Sequence, residues 1–325
     1  MLLEKKRGLA VLCIASCVLL SSGCGKDALE RPYVWAAEDL PVFGQELTAG
    51  GYADGFASEL CVLGPGETWE EEGVDAEAAA VFDLAGKQTI FGKNAFEQLY
   101  PASITKVMTA ILAIKYGDLE DKVTVTDAAV ITEAGATLCG IQPGDELTLE
   151  QLLYGLMLPS GNDAAAAIAV HMAGSIDGFA DMMNEEAARL GATGTHFTNP
   201  HGLTDTAHYT TAYDLYLIFN EALKLPKFRE VTGCTAYTAN YTSRTGDAVS
   251  KEWKGGNWYL TGERETPDGL KVFSGKTGTT SAAGFCLIMA SQDMAGQEYI
   301  SVVLKAASRP GLYDNMTEII QKIGK

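Results

Sequence analysis

The chain is short of positive charge. Its 325 residues carry 24 Lys and Arg against 42 Asp and Glu, a formal net charge of -18. That balance argues against nucleic acid as a partner, because a phosphate backbone is held by a basic surface. Between Pro32 and Gly86 there is no Lys or Arg at all. Histidine is scarce, with 4 residues and no H-E-x-x-H spacing, and none of the 7 cysteines forms a C-x-x-C pair. Neither a metal site nor a bound cofactor is therefore expected. No uninterrupted apolar run is long enough to span a bilayer, and no segment repeats. What remains is ordinary globular composition, 47% apolar and 20% charged, in a chain long enough for a real core.

The first residues set the compartment. Lys5, Lys6 and Arg7 precede an apolar stretch from Gly8 to Leu20, right for the core of an export signal and too short for a transmembrane span. The following S-S-G-C-G resembles a bacterial lipoprotein processing site, where Cys24 would become the lipid-bearing first residue of the mature chain. Ser21 stands where that pattern usually has Leu. I-A-S-C, ending at Cys17, is a second candidate with a very short apolar core, and ordinary cleavage to a soluble secreted product is the other outcome. Residues 1–24 are thus expected to be a lipoprotein-type signal, and residues 25–75, acidic and broken by Gly and Pro, an extended tether. Residues 76–325 are expected to be the folded domain. Cys61, Cys139, Cys234 and Cys286 permit two disulfides in three pairings. Cys286, in the apolar run G-F-C-L-I-M-A, reads as a core residue.

Periodicity divides the domain in three. AAAVFDL and AGKQTIF read as two strands around a Gly turn. A helical block follows. PASITKVMTAILAIKYG has Pro101 just before it and Ser103 in its first turn; LTLEQLLYGLML is opened by Thr148 and stopped at Pro159. NDAAAAIAVHMAG, IDGFADMMNEEAARLG and TAYDLYLIFNEALK complete the block, with a short extended piece, KVTVTDAAV, inside it. TAYTANYTS, GLKVFSG, AGFCLIMA and EYISVVLKA then read as strands and RPGLYDNMTEIIQKIG as a closing helix packed on the sheet. The expected class is α+β: one antiparallel sheet built from both ends of the domain, flanked by helices, with an all-helical region inserted.

Three short motifs carry chemistry. S-I-T-K spans Ser103 to Lys106, S-G-N spans Ser160 to Asn162, and K-T-G spans Lys276 to Gly278. Alone, each has a plain structural reading: a capped helix start, a helix N-terminus, a turn between strands. Each pattern occurs once, in this order, at a helix start, an inter-helix loop and a strand edge. A serine hydroxyl is a poor nucleophile until a base takes its proton. Ser103 and Lys106, three apart on a helix, share a face. Lys can be that base once burial and a second cation, here Lys276, destabilise its ammonium. A helix start also favours a developing oxyanion.

With their flanks, YPASITKVMTA, MLPSGNDAAAA, THFTNPHGLTDTAHYTTAYDL and SGKTGTTSAAGFCL, these motifs resemble the serine-type D-Ala-D-Ala carboxypeptidases (low-molecular-weight penicillin-binding proteins, peptidase S11-like). The resemblance covers about residues 76 to 310 and implies a β-lactamase/transpeptidase-like fold. It also implies removal of the terminal D-Ala from peptidoglycan stem peptides through a Ser103 acyl-enzyme, with β-lactams as acylating inhibitors. It casts Lys106 as base, Ser160 as proton relay to the leaving amine, and Asn162 as a partner of Lys106 and of a substrate carbonyl. Lys276, Thr277 and Thr279 would grip the terminal carboxylate, with Gly278 letting the peptide lie along the strand edge and the backbone N–H groups of Ser103 and Thr279 forming the oxyanion hole. His201 is expected to be loop structure, and Tyr209 and Tyr213 packing residues. The E-x-x-L-N pattern by which class A β-lactamases place a deacylating Glu is absent, which implies slow β-lactam turnover. The motifs do not separate carboxypeptidase from endopeptidase or transpeptidase, and a non-catalytic peptidoglycan-binding lipoprotein would be expected to carry a broken motif. Many members have a further small β-domain and an amphipathic C-terminal helix. Here only a short closing helix fits after K-T-G, so the N-terminal lipid is expected to do the tethering.

Overall fold

A computed structural model describes residues 60–63, 69 and 72–324. The expected signal, Cys24 and most of the expected tether lie outside the described residues. Part of the segment expected as tether packs on the domain: Cys61 and Leu63 are buried, and the Cys61 backbone N–H donates to Tyr216 Oη at 2.8 Å.

The domain is built on β1 (Ala78–Asp83), β2 (Gln88–Lys93), β7 (Leu270–Thr280), β8 (Gly284–Asp293) and β9 (Glu298–Ala306). They form an antiparallel sheet in the order β2-β1-β9-β8-β7. Both faces are covered, so the strands are apolar on both sides and period two divides them between two cores. Ala78, Ala80, Phe82, Ile288, Ala290, Ile300 and Val302 join one core. Ala79, Val81, Leu287, Met289 and Val303 join the other, which the closing helix α8 (Arg309–Ile320) fills with Leu312, Tyr313 and Met316. The closing helix packs on the sheet as expected.

Between β2 and β7 lie the helices α1 (Lys106–Tyr116), α2 (Leu149–Met157), α3 (Asn162–Ala173), α4 (Ile176–Arg189), α5 (Ala212–Leu223), α6 (Pro226–Gly233) and the short α7 (Trp258–Thr261). Thr148 opens α2 through a capping box with Gln151. The Ala-rich α3 is buried nearly all round, because small side chains let its neighbours close on it.

The inserted region is not all helix. It also holds a second antiparallel sheet of β3 (Lys122–Thr124), β4 (Glu146–Thr148), β5 (Ala236–Thr242) and β6 (Ala248–Lys254), in that order. TAYTANYTS, expected in the main sheet, is β5 of this one. The reason is local. A tight turn at Ser243–Gly246 folds β5 onto β6, and Trp253 of β6 plugs the hairpin into the core by donating Nε1–H to Cys139 O at 3.0 Å. The two disulfides the sequence allowed are absent: all four thiols are free. They sit in separate environments, Cys61 on Asp83 O, Cys139 in the loop before α2 with its side chain against Gly155 of that helix, Cys234 after α6 and Cys286 inside β8. Among the described residues no helix is long and apolar enough to cross a membrane.

Candidate active site

Ser103 lies in a 3-10 turn, Ala102–Thr105, that feeds α1. The turn is entered through a left-handed backbone at Ala102, with φ of 48°, which a residue with a side chain adopts only where its surroundings enforce it. The constraint comes from two sides. Strand β7 runs so close at Gly278 that a Cβ there would sit 2.9 Å from both Pro101 O and the Ser103 backbone nitrogen. On the other side Gly202, at φ of 85°, abuts Ala102 O closely enough that any Cβ would collide with it. Glycine is needed at both points for close approach.

One helical turn on, Lys106 is fully buried. Its Nζ lies 2.8 Å from Ser103 Oγ, 2.6 Å from Asn162 Oδ1 and 2.6 Å from His201 O. The last two are carbonyl oxygens and can only accept. A neutral amine therefore donates its two N–H groups to them and directs its lone pair at the serine hydroxyl; the protonated amine donates to all three. Burial first, and the nearby Lys276 charge second, hold the Lys106 pKa well below the ordinary lysine value, with buried Asp163 opposing.

The His201 carbonyl is aimed by its loop. Asn199 Oδ1 accepts from the backbone N–H groups of His201 and Gly202 at 3.3 and 2.7 Å. Thr109 Oγ1 donates to Pro200 O at 2.6 Å. The imidazole turns inward instead, its Nδ1 accepting from Leu203 N–H at 3.2 Å. Burial, then Lys106 and His208, lower its pKa to about 3. His201 is thus loop structure in its ring, as expected, but its carbonyl touches the candidate base. Sequence reasoning missed this because a backbone oxygen has no sequence signature. Tyr213 packs as expected, its Oη donating to Cys61 O at 2.8 Å.

Asn162 opens α3, and its backbone N–H donates to Thr137 O at 2.8 Å. The next residue is Asp163. It is 1% exposed. Its carboxylate accepts from the backbone N–H groups of Cys139, Gly140, Ile141 and Ala164. Four donors on one carboxylate fasten the 137–141 loop to the start of α3.

Ser160 sits just before that helix, also left-handed, with φ of 63°. Lys276 Nζ donates to Ser160 Oγ at 2.9 Å and to Thr277 O at 2.7 Å. Lys276 is 2% exposed, and burial lowers its pKa to about 7.

Two clefts flank Ser103. One, about 560 Å³, is lined by Ser103, Asn162, Glu133, His201 and Thr279. The other is lined by Ser103, Ser160, Thr277, Gly278, Thr279 and two cations, Lys254 and Arg309. Lys276 lines neither; it lies behind Ser160 and Thr277. Arg309, the first residue of α8, also escaped the sequence reading, since nothing local ties it to a motif 33 residues earlier (309 − 276).

Every site residue named from sequence outside the signal, Ser103, Lys106, Ser160, Asn162, Lys276, Thr277, Gly278 and Thr279, converges on this one spot. Comparison with known proteins agrees. The family model described as D-alanyl-D-alanine carboxypeptidase (peptidase S11) matches residues 66–308. The chain is similar to D-alanyl-D-alanine carboxypeptidase DacF of Bacillus subtilis strain 168, 31% identical over 261 residues, covering 78% of this chain and 63% of that protein. It is also similar to a D-alanyl-D-alanine carboxypeptidase of Streptomyces sp. strain K15, 34% identical over 247 residues, covering 71% and 81%. Among solved structures it resembles the Streptomyces K15 DD-transpeptidase, with a TM-score of 0.71 and 31% identity over 78% of this chain and 98% of that one. On this evidence the chain belongs to the D-alanyl-D-alanine carboxypeptidase family, peptidase S11.

Proposed function

We propose that this chain hydrolyses the terminal peptide bond of peptidoglycan stem peptides ending in D-Ala-D-Ala, through an acyl-enzyme on Ser103. The observation that carries the reading is the surroundings of Lys106 Nζ: two carbonyl acceptors and one serine hydroxyl. That arrangement makes a neutral lysine a base for Ser103 and for nothing else within reach.

In the first step the Ser103 O–H proton passes to Lys106 as Oγ attacks the carbonyl carbon of the penultimate D-Ala. The oxyanion is held by the Ser103 and Thr279 backbone N–H groups. The C–N bond then breaks, and the proton that Lys106 took from Ser103 passes through Ser160, which Lys276 supports from behind, to the leaving amine, so that Lys106 is neutral again. D-Ala leaves and an ester remains on Ser103. Water attacks that ester, the carboxylic acid departs, and Ser103 regains its hydroxyl. The Thr277 and Thr279 hydroxyls and the exposed guanidinium of Arg309 meet the terminal carboxylate; buried Lys276 contributes charge rather than direct contact. Asn162, with its carbonyl committed to Lys106, keeps its amide N–H donors for a substrate carbonyl. β-Lactams would acylate the same hydroxyl. Transfer to an amine instead of water is the second reading, favoured by the likeness to a protein solved as a DD-transpeptidase.

The test is D-Ala release from an L-Lys-D-Ala-D-Ala peptide, measured beside Ser103→Ala. Release that vanishes in the variant supports the reading. No release by either protein, with or without an added amine acceptor, overturns it. We further propose that the enzyme works outside the cytoplasmic membrane, tethered through a lipid on Cys24 and held off by an acidic spacer. The intact mass of membrane-extracted protein would show a diacylglyceryl addition, and an unmodified mature chain would refute the tether.

A further inference from the structure

The two clefts beside Ser103 differ in charge. The one with Ser160 and Thr277 carries Lys254 and Arg309. In the wider one, among the described residues, Glu133 is the lone charged side chain, since the low pKa of His201 keeps its ring neutral. Glu133 is exposed, and none of the ion pairs among the described residues engages it. Its loop is held in place: Ala136 N–H donates to Glu133 O at 3.1 Å, Thr137 O accepts from Asn162 N–H, and Asp163 fastens residues 139–141.

A stem peptide has a matching asymmetry. Its leaving end is a carboxylate. On the other side of the scissile bond, one residue before the penultimate D-Ala, stands a diamino acid with a side-chain ammonium. With the carboxylate in the cationic cleft, the rest of the peptide must run into the cleft of Glu133.

We propose that Glu133 is a specificity residue that recognises the side-chain ammonium of the diamino acid preceding D-Ala-D-Ala, and that the enzyme therefore favours an amine without an adjacent carboxylate. The inference rests on the reading of the wider cleft as the acyl-donor side. L-Lysine, or diaminopimelate whose free carboxyl is amidated, brings only a positive charge to Glu133. Diaminopimelate with its carboxylate free adds a negative charge that no cation of this cleft receives. The attraction is solvent-exposed, so a modest preference is expected, roughly two- to fivefold, weakening as salt screens it.

The experiment compares kcat/KM for D-Ala release from three peptides at low ionic strength, using the full chain. The peptides are Nα-acetyl-L-Lys-D-Ala-D-Ala, its Nα,Nε-diacetyl form, and the meso-diaminopimelyl counterpart with a free carboxylate. The wild type should favour the free lysine peptide over the other two. Glu133→Gln should bring the free and diacetyl lysine peptides to equal rates, and Glu133→Lys should reverse the order of the lysine pair. Equal rates on all three peptides in the wild type, or a lysine preference that survives in Glu133→Gln, would overturn the assignment while leaving the hydrolase intact. No release from any of the three would overturn the hydrolase reading, and this inference with it.

Discussion

Lys276 supports Ser160 from beneath: its buried ammonium donates at 2.9 Å to the hydroxyl of a serine held in the left-handed region. The same charge lowers the pKa of Lys106, so one cation acts on both Ser160 and Lys106.

That double role predicts a pH effect. As the proposed base, Lys106 must be neutral to accept the Ser103 proton, so kcat/KM is expected to rise with pH through the Lys106 pKa. Replacing Lys276 by Met removes a like charge and lets that pKa climb. The acid limb of the pH profile should move up by about one to two units. A rate that falls equally at every pH, with the limb unmoved, would mean that Lys276 acts on the substrate alone.

Lys106→Met and Lys106→Arg separate base from scaffold. Met strands Asn162 Oδ1 and His201 O without a donor, at a cost of about 1–3 kcal/mol each. Arg keeps donors but stays charged. Both should lose roughly 10²–10⁴-fold in kcat/KM, with Arg retaining more of the thermal stability. An active Lys106→Arg enzyme would remove lysine from the base role.

Acid should weaken the fold through two histidines. His208, on Thr105 Oγ1 and Thr198 N–H, and His201 are buried, and burial lowers their pKa values to about 4 and about 3. The unfolded chain takes up both protons near pH 6.5 and the folded chain does not, so stability falls as pH drops from about 6.5 to 4. Two protons give a slope of up to about 2.7 kcal/mol per pH unit. Thermal midpoints across that range should show it, and His208→Gln should remove up to half. Midpoints flat between pH 6.5 and 4 would contradict the burial of neutral imidazoles.

Gly278→Ala and Gly202→Ala should differ in kind. At Gly278 the added methyl pushes β7 away from Ser103, so kcat/KM should drop while the fold survives. At Gly202 it meets Ala102 O in a backbone of positive φ, and the fold should lose about 2 kcal/mol or more. Denaturant midpoints and D-Ala release on both variants decide this.

β-Lactams should be trapped. The buried Glu186 is committed to Lys115 and Arg189, which leaves it no part in activating water. Incubation with benzylpenicillin should give a long-lived mass adduct that Ser103→Ala does not form. Rapid catalytic hydrolysis would contradict the slow turnover expected from the missing E-x-x-L-N pattern.

Much of this site was legible from local pattern. Ser103 and Lys106 meet because a helical turn brings residues three apart together, whatever surrounds them. Strand alternation, caps and glycine stops likewise placed most elements of the main sheet and the helices. The second sheet was legible only in part: KVTVTDAAV and TAYTANYTS read as extended, but β4 is three residues long and the inner face of β6 carries only Val249 and Trp253 as apolar residues, with Lys251 between them, too little apolar period to read.

What the sequence determined by itself is the chemistry on offer: a serine hydroxyl, two lysines, an amide and a strand-edge glycine in a fixed order. What only tertiary structure decided is the state of those groups. Lys106 meets Asn162 across 56 residues and the His201 carbonyl across 95, and Lys276 meets Ser160 across 116. A lysine becomes a base by losing water and gaining a neighbouring charge, and both depend on distances that folding sets. The cationic and anionic clefts arise the same way, from Arg309 and Glu133, which belong to no motif and join the site only when α8 and the loop before α2 close around Ser103.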